Sequence, residues 1–359
     1  MEIYIAEIVI IYILGILFLY ILKNKKLFIL FSFGLMSFIL GARASSVGED
    51  TQHFIDIFHI SKKFSIIDII LNGTESVYEN GINYQLKIEN GYFLLNKFVS
   101  IFTSNEQYLL FIVSILTCFL FAKFIMDNTE HVFIATQIFL CESIYMNSFN
   151  LMRQMLALSI GIQCYTFLKK NKCIKSFFVI LLSMMFHKTA IILFIFYILF
   201  FIKDSKKLIR YIFYGICFLI VFFQYFVDIF CLFFPKYINY FYNNYYNLSI
   251  NGQLILYIFE ISLCFLVYCR DIKYKEIGIQ TASIILYLFF EILGFKIVAF
   301  SRVALYFRSF LILFFPSFLN YLKKNAHIFY LFIMLLLITL LFLSYARSDA
   351  RMYQIFWNA

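Results

Sequence analysis

The sequence has few of the residues that interrupt secondary structure or that suit a protein surface to water. Only 2 prolines and 12 glycines occur among 359 residues, which leaves little room for long linkers without secondary structure. Charged residues make up 14% of the chain, against roughly 25% in a typical soluble domain. Hydrophobic residues make up 63% of it. This composition excludes a soluble globular domain and predicts an integral membrane protein.

Several functional signatures are also absent. The 8 cysteines form no CxxC pair and lie mostly in or beside apolar segments, so they predict packing residues rather than disulfides or a zinc site. The sequence contains no Gly-rich phosphate loop, no GxSxG elbow and no soluble nucleotide-binding domain. The formal net charge of +10 resides largely in short Lys-rich loops, which are typical of membrane topology signals. We therefore expect no nucleic acid partner, no cofactor and no metal.

Apolar stretches approach the length of about 20 residues that a membrane-spanning helix needs. They lie near 3–22, 27–41, 106–125, 132–148, 152–168, 208–233, 253–269, 276–295, 303–322 and 327–345. A further stretch, 176–202, is interrupted by His187 and Lys188, and we interpret it as two half-helices that enter and leave on one side. The sequence thus predicts a single all-α, polytopic membrane domain over residues 1–359, with about 11–12 membrane segments.

Positive charge predicts the topology. Lys23, Lys25 and Lys26 follow the first apolar segment and place that loop inside. The external side then carries a large loop, 42–105, in which the apolar spacing predicts an amphipathic helix over 62–73. A second external loop, 235–252, is rich in Tyr and Asn. Two interpretations of that loop stay open, a surface that stacks on sugar rings and an aromatic belt at the lipid interface.

The first external polar stretch combines cations and carboxylates. Arg43 offers a planar donor fork suited to phosphate, and Asp50 could accept a proton from a sugar hydroxyl. Alternatively, Arg43 and Asp50 pair with each other and hold the loop. Asp50, His53, Asp56 and His59 recur every three residues, but this pattern drifts around a helix and no further ligand pair is evident. No metal site is therefore predicted.

A second cluster lies where an external loop becomes a helix. Arg153 and Gln154 sit one turn into that helix, where an arginine indicates anion binding. Ala157, Ser159 and Gly161 follow, and such small residues permit close helix packing.

Two further clusters are predicted to face the same side of the membrane. His187 and Lys188 lie at the bend of the half-helix pair, where non-helical backbone is tolerated if it lines a cavity. Arg302 and Tyr306 are four residues apart and share a helix face. Arg308 lies off that face and is expected to extend towards lipid headgroups.

Four short motifs together resemble those of the EpsG family of Wzy-type polysaccharide polymerases. They are G-x-R-x-x-x-V-G-x-D-T (41–51), NLMRQMLALSI (150–160), FHKTAI (186–191) and SRVALYF (301–307). The resemblance implies a GT-C-like helical bundle in the bacterial inner membrane with its active site facing outside. It also implies transfer of a growing glycan from undecaprenyl pyrophosphate onto a sugar hydroxyl of an incoming lipid-linked oligosaccharide. A chain-length regulator is a candidate partner.

The candidate residues fit that chemistry, because a departing pyrophosphate develops negative charge that fixed cations stabilise. The predicted catalytic residues are Asp50, His187 and Arg153, and the predicted substrate-binding residues are Arg43, Gln154, Lys188, Arg302 and Tyr306. Two alternatives use the same cations. One is a flippase or transporter of lipid-linked glycan. The other is a related O-antigen ligase or a glycosyltransferase that uses a polyprenyl-linked sugar.

Overall fold

The computed structural model describes most of the chain. The described residues are 2–67, 69, 77–79, 82–84, 88–202, 204–233, 252–269, 275–295, 297–320, 339 and 353–358. Three predicted segments lie almost entirely outside the described residues. They are the part of the amphipathic helix after Ile67, the Tyr-rich loop 235–252 and the segment 327–345.

The helices fall into two compact units, residues 1–193 with 338–359 and residues 194–337. The first unit contains ten α-helices among its described residues, and α1 continues as a π-helix over Gly15–Ile21. These are α1 Glu2–Leu14, α2 Lys25–Gly41, α3 Thr51–Ser61, α4 Asn90–Phe102, α5 Gln107–Asn128, α6 Val132–Cys141, α7 Ile144–Asn150, α8 Met152–Gly161, α9 Gln163–Lys169 and α10 Cys173–Phe186. A short antiparallel hairpin pairs β1 Val77–Glu79 with β2 Ile82–Tyr84.

A 3₁₀ helix, Lys188–Phe194, follows α10 and ends where the second unit begins. The described α-helices of the second unit are α11 Ile195–Phe201, α12 Ser205–Val221, α13 Phe223–Phe233, α14 Gly252–Cys269, α15 Lys275–Gly294, α16 Val298–Arg308 and α17 Leu311–Leu319. The prediction of an all-α protein is confirmed, with the three-residue strands as a minor addition. The prediction of one domain over 1–359 stays a prediction.

Several helices are long and apolar enough to cross a membrane. In the described part of the chain these are Glu2–Ile21, Gln107–Asn128, Lys275–Gly294 and Ala299–Leu319. The helices α6 and α7 together are also long and apolar enough to cross as one bent pair, with an angle of 41° between them. The chain is therefore a multi-pass membrane protein, as its composition predicts.

Three segments that the hydropathy predicts as continuous helices are broken in the structure. The segment 132–148 is interrupted at Ser143, whose φ of 57° lies in the left-handed region and turns the chain between α6 and α7. The segment 152–168 is divided after Gly161 into α8 and α9. The segment 208–233 is divided at Phe222. Hydropathy cannot detect such breaks, because the residues on both sides remain apolar.

The interruption predicted at His187 is confirmed. The helix α10 ends at Phe186, and His187 takes an extended conformation with φ −157° and ψ 119° before the 3₁₀ helix begins at Lys188. That the two parts enter and leave on one side of the membrane stays a prediction.

A core of apolar side chains holds α3, α4, α5 and α8 together in the first unit. It includes Phe54 and Phe58 of α3, Tyr92 of α4, Leu110 of α5 and Leu156 of α8, all at most 3% exposed. Phe54 and Phe58 are four residues apart, the spacing that directs both side chains to one helix face. This core places the amino ends of α3, α4 and α8 beside one another.

Close helix packing is visible between α8 and α10. A Cβ on Gly161 would lie 2.7 Å from Ser183 Oγ, and the Ser183 hydroxyl donates to the Ala157 carbonyl. The small residues of the second cluster therefore allow the two backbones to approach, as their sequence pattern indicates.

Candidate functional site

Arg153 lies in the first turn of α8 and is held on three sides. The chain breaks at Leu151, between α7 and α8, so that Arg153 projects from a helix start. Its Nη1 donates to Glu89 Oε2 at 2.7 Å, and the two side chains are 21% and 12% exposed. Its Cζ lies 5.8 Å from the ring centre of Phe54 and 5.9 Å from that of Tyr92. One carboxylate and two rings thus fix the guanidinium.

Glu89 connects this arginine with the helix break. It directly precedes α4, which begins at Asn90. A Cβ on Gly91, the second residue of α4, would lie 2.7 Å from the Met185 carbonyl oxygen near the end of α10. Only glycine allows that approach without displacing backbone. The second carboxylate oxygen of Glu89, Oε1, accepts the main-chain N–H of Lys188 at 3.2 Å. Glu89 therefore bridges Arg153 and Lys188, which are 35 positions apart in the sequence.

The two predicted residues at the break differ in their surroundings. The side chain of Lys188 is exposed, and His187 is partly buried. His187 Nδ1 lies 2.6 Å from the Thr189 hydroxyl oxygen, so this ring nitrogen is engaged locally. The structure thus brings the Arg153 guanidinium and the main-chain N–H of Lys188 to one carboxylate, and His187 is the residue before Lys188. Gln154 is also on α8 but is only 2% exposed.

Arg43 is completely buried just after α2. Its guanidinium donates to the Leu40 carbonyl oxygen, to Thr51 Oγ1 at 3.5 Å and to Met152 Sδ at 3.5 Å. Its Cζ lies 5.6 Å from the ring centre of Phe149. Among the described residues, no carboxylate pairs with it. Burial lowers the pKa of Arg43 to about 10, so the side chain is still charged at neutral pH.

Arg43 and Arg153 both lie near the buried Tyr92. Met152, which accepts from Arg43, directly precedes Arg153. Burial raises the pKa of the Tyr92 hydroxyl, and the positive charges of Arg153 and Arg43 both act against that rise. Arg43 and Arg153, two of the arginines that the sequence predicts on the external side, are therefore neighbours in the first unit.

The loop that carries Arg43 is paired with a segment near position 355. The N–H of Ala44 donates to the Gln354 carbonyl at 2.8 Å, and the N–H of Phe356 donates to the Ala42 carbonyl at 3.1 Å. These two bonds form an antiparallel bridge opposite Arg43. Residues more than 300 positions away in the sequence thus help to hold Arg43 in the interior.

Asp50 directly precedes α3, at the N-cap position, but its side chain makes no capping hydrogen bond. The residue is partly buried. The turn before it contains Gly48, whose φ of 93° favours glycine. The Asp50 carboxylate makes no hydrogen bond or ion pair with any residue that the structure describes. Arg43 and Asp50 therefore do not pair with each other, so the interpretation in which they hold the loop as an ion pair is wrong. Arg43 instead contacts Thr51, the residue after Asp50.

The second unit carries the remaining predicted residues. Arg302 is exposed on α16, whereas Tyr306 is fully buried. The expectation that Arg308 extends towards headgroups is wrong, because this residue is 5% exposed and its Cζ lies 5.3 Å from the ring centre of Tyr287. A role for Arg302 and Tyr306 in substrate binding stays a prediction.

Glu89 is the main residue of the site that the sequence motifs do not include. Its weak signal is the three-residue run Glu-Asn-Gly (89–91) at the start of an apolar helix, in a chain with only 20 acidic residues. Its contacts with Arg153 and Lys188 span 64 and 99 positions. Local sequence patterns cannot predict contacts at such separations.

One comparison identifies related proteins. The model of the EpsG family matches residues 26–357, nearly the whole chain. No curated protein matches the chain. No solved structure matches it either.

Proposed function

Because the chain belongs to the EpsG family of Wzy-like polysaccharide polymerases, we propose that it joins oligosaccharide repeat units carried on undecaprenyl pyrophosphate, at the outer face of the bacterial inner membrane. The observation that carries this proposal is the cluster of Arg153, Lys188 and Glu89, with the buried Arg43 in contact with Met152, the residue before Arg153. Fixed cations of this kind suit a diphosphate leaving group.

In the proposed reaction a sugar hydroxyl of the incoming unit attacks the anomeric carbon of the growing glycan. The new glycosidic C–O bond forms as the bond from that carbon to the pyrophosphate oxygen breaks, and undecaprenyl pyrophosphate leaves. Arg153 and Lys188 stabilise the developing negative charge, and Arg43 adds positive charge from the interior. Preorganised donors of this type are each worth about 10²–10³ in rate.

The hydroxyl proton needs an acceptor, and Asp50 is the first choice. Its carboxylate is partly buried and engages no described residue, so it can receive a proton without breaking an existing contact. His187 is the second choice, because Nδ1 already contacts Thr189. Gln154, Arg302 and Tyr306 are proposed to contribute to substrate binding, and a chain-length regulator is a proposed partner.

Replacement of Arg153 tests the proposal. We expect Arg153→Ala to abolish glycan chain extension, so that a complemented deletion strain carries single repeat units on the final carrier. The readout is the glycan ladder on a gel, with the amount of protein in the membrane fraction measured in parallel. Arg210→Ala, which removes an exposed arginine of α12, is the matched control and should leave the ladder unchanged.

Two outcomes would contradict the proposal. Ladders of normal length from correctly inserted Arg153→Ala protein would exclude this arginine from the reaction. Complete loss of exported repeat units in the deletion strain would indicate a flippase instead.

A further inference from the structure

The carboxylate of Glu89 is bound as an anionic ligand would be bound. One of its oxygens accepts from the Arg153 guanidinium at 2.7 Å, and the other accepts a main-chain N–H at 3.2 Å. An arginine fork combined with a backbone N–H is a donor set that proteins use for phosphate as well as for carboxylate. The anion that occupies this site is part of the chain itself.

The site offers more positive charge than one carboxylate neutralises. Arg153 contributes the cation that pairs with Glu89, and Lys188, whose main-chain N–H binds Glu89, carries a second cation on its exposed side chain. The Nε and Nη2 groups of Arg153 and the exposed ammonium of Lys188 donate to no residue within the described part of the chain. A diphosphate diester carries two negative charges and more acceptor oxygens than a carboxylate, so electrostatics favours it at the same position.

We propose that Glu89 is a resident anion that occupies the phosphate position of the site until the diphosphate of the lipid-linked substrate displaces it. This inference rests on the proposed function and adds that Glu89 competes with the substrate diphosphate for the same donors. The N–H of Lys188 and the guanidinium of Arg153 exchange one acceptor for another, so neither donor is left without a partner in either state. For Arg153, that exchange avoids the cost of leaving a largely buried cation unpaired.

The charge of Glu89 can be removed without changing its size. Glu89→Gln keeps an amide oxygen that can still accept the Lys188 N–H, but it loses the ion pair with Arg153. If Glu89 competes with substrate, full-length protein in detergent should bind inorganic pyrophosphate about tenfold more tightly after this substitution, equivalent to about 1.4 kcal/mol. Isothermal titration calorimetry measures the affinity.

The direction of the change separates this idea from a structural role. A residue that only supports the fold, or only orients Arg153, would on removal leave the pyrophosphate affinity unchanged or weaken it. Either result overturns the inference. Glu106→Gln is the matched control, because Glu106 forms a partly exposed pair with His59 at 3.6 Å elsewhere in the same unit. It should not change the affinity.

A second variant covers the case in which Glu89→Gln does not fold. Glu89→Asp keeps the charge but shortens the side chain, which weakens the contact with Arg153. Pyrophosphate should then bind more tightly than in the wild type, and equal or weaker binding overturns the inference.

The polymerase assignment and the competitor role fail separately. If Arg153→Ala stops chain extension while Glu89→Gln does not tighten pyrophosphate binding, only the competitor is wrong. If Glu89→Gln tightens binding but Arg153→Ala leaves the glycan ladder normal, an anion site exists and the polymerase role of Arg153 fails.

Discussion

Replacement of Arg43 by methionine should separate function from stability. The substitution keeps an unbranched stem but removes the charge and all five N–H donors of the guanidinium. We expect chain extension to be lost, whereas the free energy of unfolding should change by less than about 2 kcal/mol. A fully buried arginine is thus expected to contribute little to the free energy of unfolding.

The magnitude follows from opposing contributions. Burial lowers the pKa of Arg43 to about 10, which corresponds to a cost of about 3 kcal/mol for keeping the charge inside, at about 1.4 kcal/mol per pKa unit. Against that cost stand two contacts at the 3.5 Å limit, to Thr51 Oγ1 and Met152 Sδ, and a bond to the Leu40 carbonyl. A hydrogen bond from a charged donor contributes about 1.5–3 kcal/mol, and the contact with the Phe149 ring about 0.5–2 kcal/mol. The two contacts at 3.5 Å add little at that distance, so the Leu40 bond and the ring contact nearly cancel the burial cost.

The assay needs both a stability and an activity readout. Thermal unfolding of the purified protein in detergent compares wild type, Arg43→Met and Arg43→Ala, and the glycan ladder in cells reports chain extension. Arg43→Ala is the size control, because it leaves a cavity that should cost about 2–5 kcal/mol, as for Met→Ala in other cores.

Two results would refute the reasoning. Full-length glycan from Arg43→Met would show that the guanidinium does not act on the substrate. Destabilisation of Arg43→Met as large as that of Arg43→Ala would show that the bonds of Arg43 outweigh its burial cost.

Two further predictions concern the elements around the site. Phe356→Pro removes the N–H that donates to the Ala42 carbonyl, which should lower the stability of the loop around Arg43 by about 1–3 kcal/mol. Limited proteolysis should therefore cleave this loop faster in Phe356→Pro than in a Phe356→Leu control. Equal cleavage of the two variants would contradict this prediction. In the second unit, the Lys207 N–H at 3.0 Å holds the pKa of Asp204 below its usual range. The stabilisation of the α12 start should therefore be present above about pH 4 and fade as the pH falls through the lowered pKa. Hydrogen exchange of the first turn of α12 should show this change in the wild type and not in Asp204→Asn, and identical pH profiles would contradict it.

The success of the sequence predictions depends on how local their signals are. The break at His187 is predictable, because a histidine and a lysine interrupt an apolar run. The position of Arg153 at a helix start is predictable, because Asn147, Ser148 and Asn150 separate two apolar segments just before it. The break at Ser143 is not, because its cause is a backbone conformation that no neighbouring residue type requires. The inward orientation of Arg308 depends on its contact with Tyr287, which belongs to another helix.

The amino-acid sequence by itself determined the membrane class, the helical architecture and the family, because hydrophobicity and short motifs are properties of neighbouring residues. Only the tertiary structure decided which charges meet. It paired Arg153 with Glu89 across 64 positions, and it buried Arg43 without a described carboxylate partner. The physical reason is that a charge near lipid is stable only when specific groups surround it, and folding brings those groups from distant parts of the chain.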